Sequence, residues 1–273
     1  MPLRKPLSLV LLALLIPFVL VLPRGVSAAA TIELTSSVKV PFDKTVAAAD
    51  KTTAEKLNSL YGELAALLKE DNDTEAKIKA LHYKNEEIAI ALRKQIREID
   101  AAQLAKLATQ VQQAKARYKP LLDSYSALNK QISAAKTLKN KTLNSTLRTQ
   151  ADLMKPLVQL AREEIKTKEA AHKSAKTAAA KKIKAARDSL AAVDPLKVQI
   201  KAQRNAVGSV RDSRSPVWSN FKSAGKKSDI QGTQSSLTSL VSLSRQIATQ
   251  QQKIYALEVK IADILSRTQS QIL

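Results

Sequence analysis

Few side chains in this sequence have chemistry to offer, and their spacing sorts them quickly. Glu169 and His172 form Glu-x-x-His. That spacing presents two metal ligands on one helix face in di-iron bundles, but such a site takes two of these pairs and two further carboxylates. His82 has Lys79 where the matching glutamate would stand, and His82 with Glu86 one turn later makes only two ligands. His172 falls on the continuation of an apolar stripe, so an ordinary packed or partly exposed imidazole is expected there. Glu86-Glu87 and Glu163-Glu164 are neighbours in sequence, and adjacent helical positions point apart rather than forming an acid and base pair.

The chain has no cysteine, which removes thiolate nucleophiles, cysteine metal sites and disulfides. Its five glycines form no phosphate-cradling loop, and no Ser-His-Asp or Cys-His grouping is visible. No catalytic residue, metal ligand or cofactor site is assigned, and the expectation is a protein that is not an enzyme.

Charge is the chemistry that remains. Ala101 to Ile230 carries 27 Lys and Arg against 9 Asp and Glu, a net of +18 out of the chain's +21. Thr31 to Asp100 carries 11 against 13, and Gln231 to Leu273 carries 4 against 2. Excess charge confined to one span points to an anionic partner more than to a general device for solubility. Of the 27 cations, 20 are lysine, a hydrated point charge without the fixed fork of arginine. Binding through them is expected to be diffuse, salt-sensitive and poorly selective.

The densest part is the alanine and lysine block from Lys166 to Lys182, where no apolar side chain exceeds alanine in size. Alanine favours helix strongly but buries little area, so a persistent helix with a shallow core and a cationic surface is expected. The candidate polyanion-binding residues are Lys166, Lys168, Lys173, Lys176, Lys181, Lys182, Lys184 and Arg187. Anionic envelope polymers or an anionic lipid surface are the candidate partners.

Location follows from the other end of the chain. Arg4 and Lys5 precede an apolar run of 16 residues from Leu7 to Leu22, which is followed by Val26-Ser27-Ala28. A charged start, an apolar middle and a small-residue end read as a secretory signal peptide over residues 1–28, cleaved between Ala28 and Ala29. A membrane span takes roughly 20 apolar residues. The run is shorter and holds Pro17, and nothing after Ala28 is long and apolar enough to span a bilayer. The mature protein is expected to be secreted or extracytoplasmic and associated with the cell envelope. Asn72, Asn140 and Asn144 begin Asn-x-Ser/Thr sequons, but such residues are common at turns, and the lysine-rich, cysteine-free composition leans toward a bacterial source.

These groups must be positioned by helices. Residues 29–42 read as an extended lead, with Thr31 to Thr35 alternating weakly. Asp43 then caps a helix to about residue 70, carrying Val46, Leu57, Leu60, Leu64 and Leu67. Asp71-Asn72-Asp73 reads as a turn with capping chemistry. From residue 74 the stripe of Ile78, Leu81, Ile88, Leu92, Ile96 and Ile99 runs into a strict four-three alternation. Leu107, Val111, Ala114, Tyr118, Leu121, Tyr125, Leu128, Ile132 and Ala135 make a seam of helices packed side by side. Pro120 keeps its phase, which favours a kink in one long helix over a restart. Unbroken from 74 to 138, that helix would be about 97 Å long.

Asn140 to Thr146 is the next turn, followed by a long helix to about Val193 with Pro156 in phase. Asp194-Pro195 and Ser215-Pro216 pair a capping residue with a proline and read as helix starts, and the chain is expected to break again between Gly225 and Gly232. The three Pro-Leu phrases at 120, 156 and 195 hint at a repeat of 36 to 39 residues that the flanking residues do not support. The last helix, 233–271, carries Leu237, Leu240, Ile247, Ile254, Leu257, Ile261 and Ile264 on one side and Ser, Thr and Gln on the other.

The expected fold is all-α: residues 43–273 form one elongated antiparallel helical bundle or coiled coil with proline-kinked long helices. The leading functional expectation is a structural or interaction protein of the envelope held by anionic polymers or lipids. The alternatives are an exported regulator or chaperone that binds an envelope protein through its last helix, and an amphipathic lipid-binding protein. Helical faces left over after packing would serve a protein partner or a second copy of the chain.

Overall fold

The structure, a computed structural model, describes residues 32–272. The proposed signal peptide and its Ala28/Ala29 cleavage point lie outside the described residues. Six helices follow one another: α1 (Ser36–Ala47), α2 (Lys51–Glu98), α3 (Ala101–Thr137), α4 (Lys141–Ala191), α5 (Val193–Lys226) and α6 (Ile230–Ile272). Among the described residues no strand forms, and the chain is an all-α bundle.

Cross-helix contacts fix the topology. Asp71 meets Arg211, Glu86 meets Lys197, Asp100 meets Lys182 and Tyr118 meets Glu164. Position numbers rise on one side as they fall on the other, so α2 and α3 ascend as one rod while α4 and α5 descend beside it. The third helix, α6, runs parallel to α2, because Glu63, Glu70 and His82 meet Arg245, Gln252 and Glu258 in the same order. Near its end Ser189 Oγ and Thr268 Oγ1 lie 2.7 Å apart. The described part of α6 ends there. Beyond that level α3 and the first forty or so residues of α4 continue without a third helix, a two-helix stalk about 55 Å long over the 37 residues of α3.

A heptad repeat builds both parts. Leu57, Leu64, Asp71, Ile78, Asn85 and Leu92 lie seven apart on α2 and are all buried, as are Leu237, Ser244, Gln251, Glu258 and Leu265 on α6. On the descending rod Ala179, Ala186, Val193, Ile200, Val207, Arg214 and Phe221 keep one phase through the α4–α5 junction. Ala192 there is still right-handed, with φ −63° and ψ −12°, so the two helices bend without resetting. Spacing of 3.5 residues keeps one seam facing its neighbours over a long distance. On the ascending rod the phase slips by one residue between Ile99 and Leu107. Asp100, at φ 55°, takes up that residue in the left-handed region, and its carboxylate accepts from Lys182 Nζ at 2.9 Å.

Two apolar clusters fill the three-helix base. The lower one gathers Phe42, Leu57, Leu64, Trp218, Phe221 and Leu237, and the upper one gathers Ile78, Leu92, Ile200, Ile247, Ile254 and Ile261. Full burial of each such side chain contributes about 1.5–3 kcal/mol. Between the clusters lies a polar layer. Arg211 Nη2 donates to Asp71 and Glu75 at 2.8 Å each, and Gln251 Nε2 donates to Asp71. Arg214 Nη1 lies 3.7 Å from Asp71. Burial pushes Arg214 below its ordinary range and Asp71 opposes this, whereas for Arg211 the same downward push of burial is outweighed by Glu75 and Asp71. Polar groups at core positions accept only partners placed opposite them, so the layer fixes which turns of the three helices align.

Several sequence expectations are corrected. Residues 36–42 are helical, not an extended lead, because Phe42 stacks on Tyr61 with ring centroids 4.4 Å apart and packs on Phe221. Asp43 does not cap; it pairs with Lys39 inside α1. The cap is Asp50, whose carboxylate accepts from Thr53 N at 3.0 Å and starts α2. Asp71-Asn72-Asp73 is not a turn, since Asp71 occupies a core position with cationic partners and α2 runs through it. The helix expected over 74–138 is broken at Ile99 and Asp100. Ser215-Pro216 is interior to α5 rather than a start, with Trp218 and Phe221 anchoring the turn beyond it.

Other expectations hold. Pro120 and Pro156 lie inside continuous helices and the chain turns at Lys227 to Asp229; at Asp194-Pro195 a helix does start, but Asp194 is not its cap, since α5 begins at Val193 and both residues lie in its first turn. The turn before α4 is tighter than Asn140 to Thr146: Asn140 caps, its side chain accepting from Leu143 N at 3.0 Å, and Lys141 is already helical.

Candidate polyanion-binding surface

The basic block lies on α4 where the stalk joins the base. Its helix persists through the alanines, and the inward positions are small: Ala161, Ala179 and Ala186 are buried against α3 and the base. His172 takes the stripe position between them and is half-buried. Small core residues bring α3 close, and polar pairs along the edge hold the register. Tyr118 OH donates to Glu164 Oε2 at 2.5 Å, and Lys115 Nζ meets Glu169 Oε1 at 2.6 Å.

The eight candidate cations divide by surroundings. Lys182 reaches across to Asp100, and Lys184 pairs with Asp188 one turn along, at 2.5 Å. Lys166, Lys173, Lys176, Lys181 and Arg187 are exposed, Lys168 is half-buried, and these six pair with no carboxylate among the described residues. Lys166, Lys173 and Arg187 are separated by multiples of seven, so they share one flank of α4 with Lys176 beside them. Lys184, three residues before Arg187, borders the same flank on its other side, whereas Lys168 and Lys181 sit elsewhere around the helix. The block is therefore a sleeve of ammonium groups with one denser flank, suited to a flexible or planar polyanion rather than to a small ligand.

No family model, curated protein or solved structure matches the chain. Its functional reading accordingly rests on the residues themselves.

The residues singled out for metal chemistry are placed apart. Glu169 is engaged by Lys115, and Glu86 by Lys197 at 2.5 Å, which holds the Glu86 carboxyl below its ordinary range. His82 turns to the buried carboxyl of Glu258 instead. Among the described residues no three His, Asp or Glu side chains gather into a cluster that would hold a metal ion, and no helix is long and apolar enough to cross a membrane.

The sequence reading missed the buried polar groups. Asp71, Asn85, Arg214, Gln251 and Glu258 are at most 7% exposed. Their signal is positional: each sits seven residues from an apolar core residue or from another of the set. Composition gives no hint of it. The last helix is likewise more committed than its polar face implied, because Thr233, Ser244, Gln251, Glu258 and Thr268 are buried along with its apolar stripe. α6 is the helix that α2 and α5 both close upon, with 14 of its 43 residues buried and an outer face that includes Tyr255 and Val259 left exposed.

Proposed function

We infer that the chain is a non-enzymatic helical protein of the extracytoplasmic envelope, retained there by diffuse electrostatic attraction of α4 to anionic polymers or lipid headgroups. The observation that carries this reading is the set of six cations from Lys166 to Arg187 without carboxylate partners among the described residues, on a stretch of helix whose fully buried residues are Ala179 and Ala186. A helix stabilised mainly by propensity and shallow packing keeps those ammonium groups in place whatever binds them. The block runs from the stalk to its junction with the base, whereas in the base itself Glu86, Asp71 and Glu75 of α2 pair with Lys197, Arg211 and Arg214 of α5. Extracytoplasmic location rests on the charged, apolar and small-residue order of residues 1–28.

Graded salt washes of the producing cell test the reading as a whole. Release from the envelope fraction over a few hundred millimolar salt is expected, where the screening length falls to a few Å. Retention through molar salt, or recovery in the cytoplasmic fraction, would contradict it.

A further inference from the structure

The two-helix stalk presents an apolar face that the chain's own fold explains but does not cover. In the base, the groove along one side of the ascending and descending rods is filled by α6. The heptad phase carries that same groove upward past the end of α6 onto α3 and α4. There an open groove of about 550 Å³ is lined by Ser124, Ala127, Leu128 and Gln131 from α3 and by Gln150, Leu153 and Met154 from α4. Leu153, Leu157 and Leu160 follow at four and three residues, the spacing of one helical stripe, and are 75%, 57% and 64% exposed. Single exposed leucines are ordinary; three in register beside a groove are not.

We propose that this face docks a second copy of the chain, stalk against stalk, closing the two α3–α4 hairpins into a four-helix bundle. Three observations select a second copy. The groove is continuous with one that already accepts a helix in this fold, so its width and phase suit helix packing. It can pair with itself, because Leu153 and Met154 on α4 stand across from Ser124 and Ala127 on α3, so a two-fold arrangement lays the leucines of each copy over Ser124 and Ala127 of the other. Its lining holds no ionisable side chain in a span of net charge +18, so two copies meet there without apposing their lysines.

The size is adequate. About 20 residues of each helix, roughly 30 Å long and 20 Å across the pair, offer about 600 Å² per copy, the lower end for specific interfaces.

Sedimentation equilibrium of the purified chain from about 1 to about 200 µM is the test, run at low salt and at about 0.5 M. A monomer–dimer equilibrium is expected that tightens as salt rises, because screening relieves repulsion between the basic stalks. This is the opposite sign to polyanion binding, so the two proposals fail separately. The variant L153Q/L157Q/L160Q should remain monomeric with unchanged helicity by circular dichroism. Ala127→Lys on the facing helix should abolish the dimer as well, and it decides the matter if the triple variant loses helicity. A monomer throughout at high salt, or a dimer that neither change disturbs, overturns the proposal.

Discussion

Nδ1 of His82 and Oε1 of Glu258 meet at 2.8 Å across the α2–α6 interface, one ring half-exposed and the other carboxyl fully buried. Asn85 Nδ2 donates to the second oxygen of the same carboxyl and to the Glu258 backbone carbonyl, at 2.9 Å each. Both interactions run between parallel helices in which no turn sets the alignment, so this polar layer and the one at Asp71 do that work.

Replacing Asn85 with Leu should therefore cost about 1–3 kcal/mol, because the buried Glu258 carboxyl loses a buried side-chain donor. The double change Asn85→Leu and Glu258→Leu should recover much of that loss, since the unpaired group goes with its partner. Urea midpoints of the two variants check this. A single variant within about 0.5 kcal/mol of the parent would show that water reaches the site.

How much of this was legible beforehand follows from what each residue does locally. The seam from Leu107 to Ala135 is apolar, regular and unbroken by Pro120, and it packs as its spacing implies. The stripe of the last helix does the same. Asp71-Asn72-Asp73 misled because an acid, an amide and an acid are turn chemistry in isolation, and only Arg211, some 140 residues away, makes Asp71 a core residue. Ser215-Pro216 misled in the same way: Trp218 and Phe221 hold α5 through the proline. The break at Asp100 gives no local signal, since a one-residue slip of phase is visible only once both stripes have been assigned. The cations of α4 were legible individually, but their pairing with Asp100 and Asp188 was not.

Acid should loosen the base. The carboxyl of Glu75 is held below its ordinary value of 4.5: burial pushes it up, but the hydrogen bonds from Arg211 and Lys79 outweigh that. A depressed carboxyl adds stability that is complete above the unfolded value and is lost as pH falls from there through the folded one. Thermal midpoints should decline as pH drops below about 4.5, and Glu75→Gln should start lower and decline less. Parallel pH profiles for parent and variant would remove Glu75 from the account.

The stalk should be less protected than the base. Its buried side chains are Val111, Ala114, Leu128, Ala135, Ala151, Val158, Ala161 and Ala179, without a third helix above them, whereas the base holds both apolar clusters. Amide exchange should be faster over α3 and residues 141–175 of α4 than over α2, α5 and α6, since local opening there exposes less apolar area. Uniform protection along α4 and α5 would mean that the stalk does not open by itself.

The central claim is that the unpaired cations of α4 bind polyanions, and the salt dependence of that binding tests it most directly. Binding of the parent chain to heparin or to anionic vesicles should weaken linearly in log K against log salt. Replacing Lys166, Lys168, Lys173, Lys176, Lys181, Lys182, Lys184 and Arg187 with glutamine should leave the helix intact, because these residue types have similar helix propensities. This variant should bind at least about tenfold more weakly at low salt and with a shallower slope. Equal affinity and equal slope for parent and variant would contradict it.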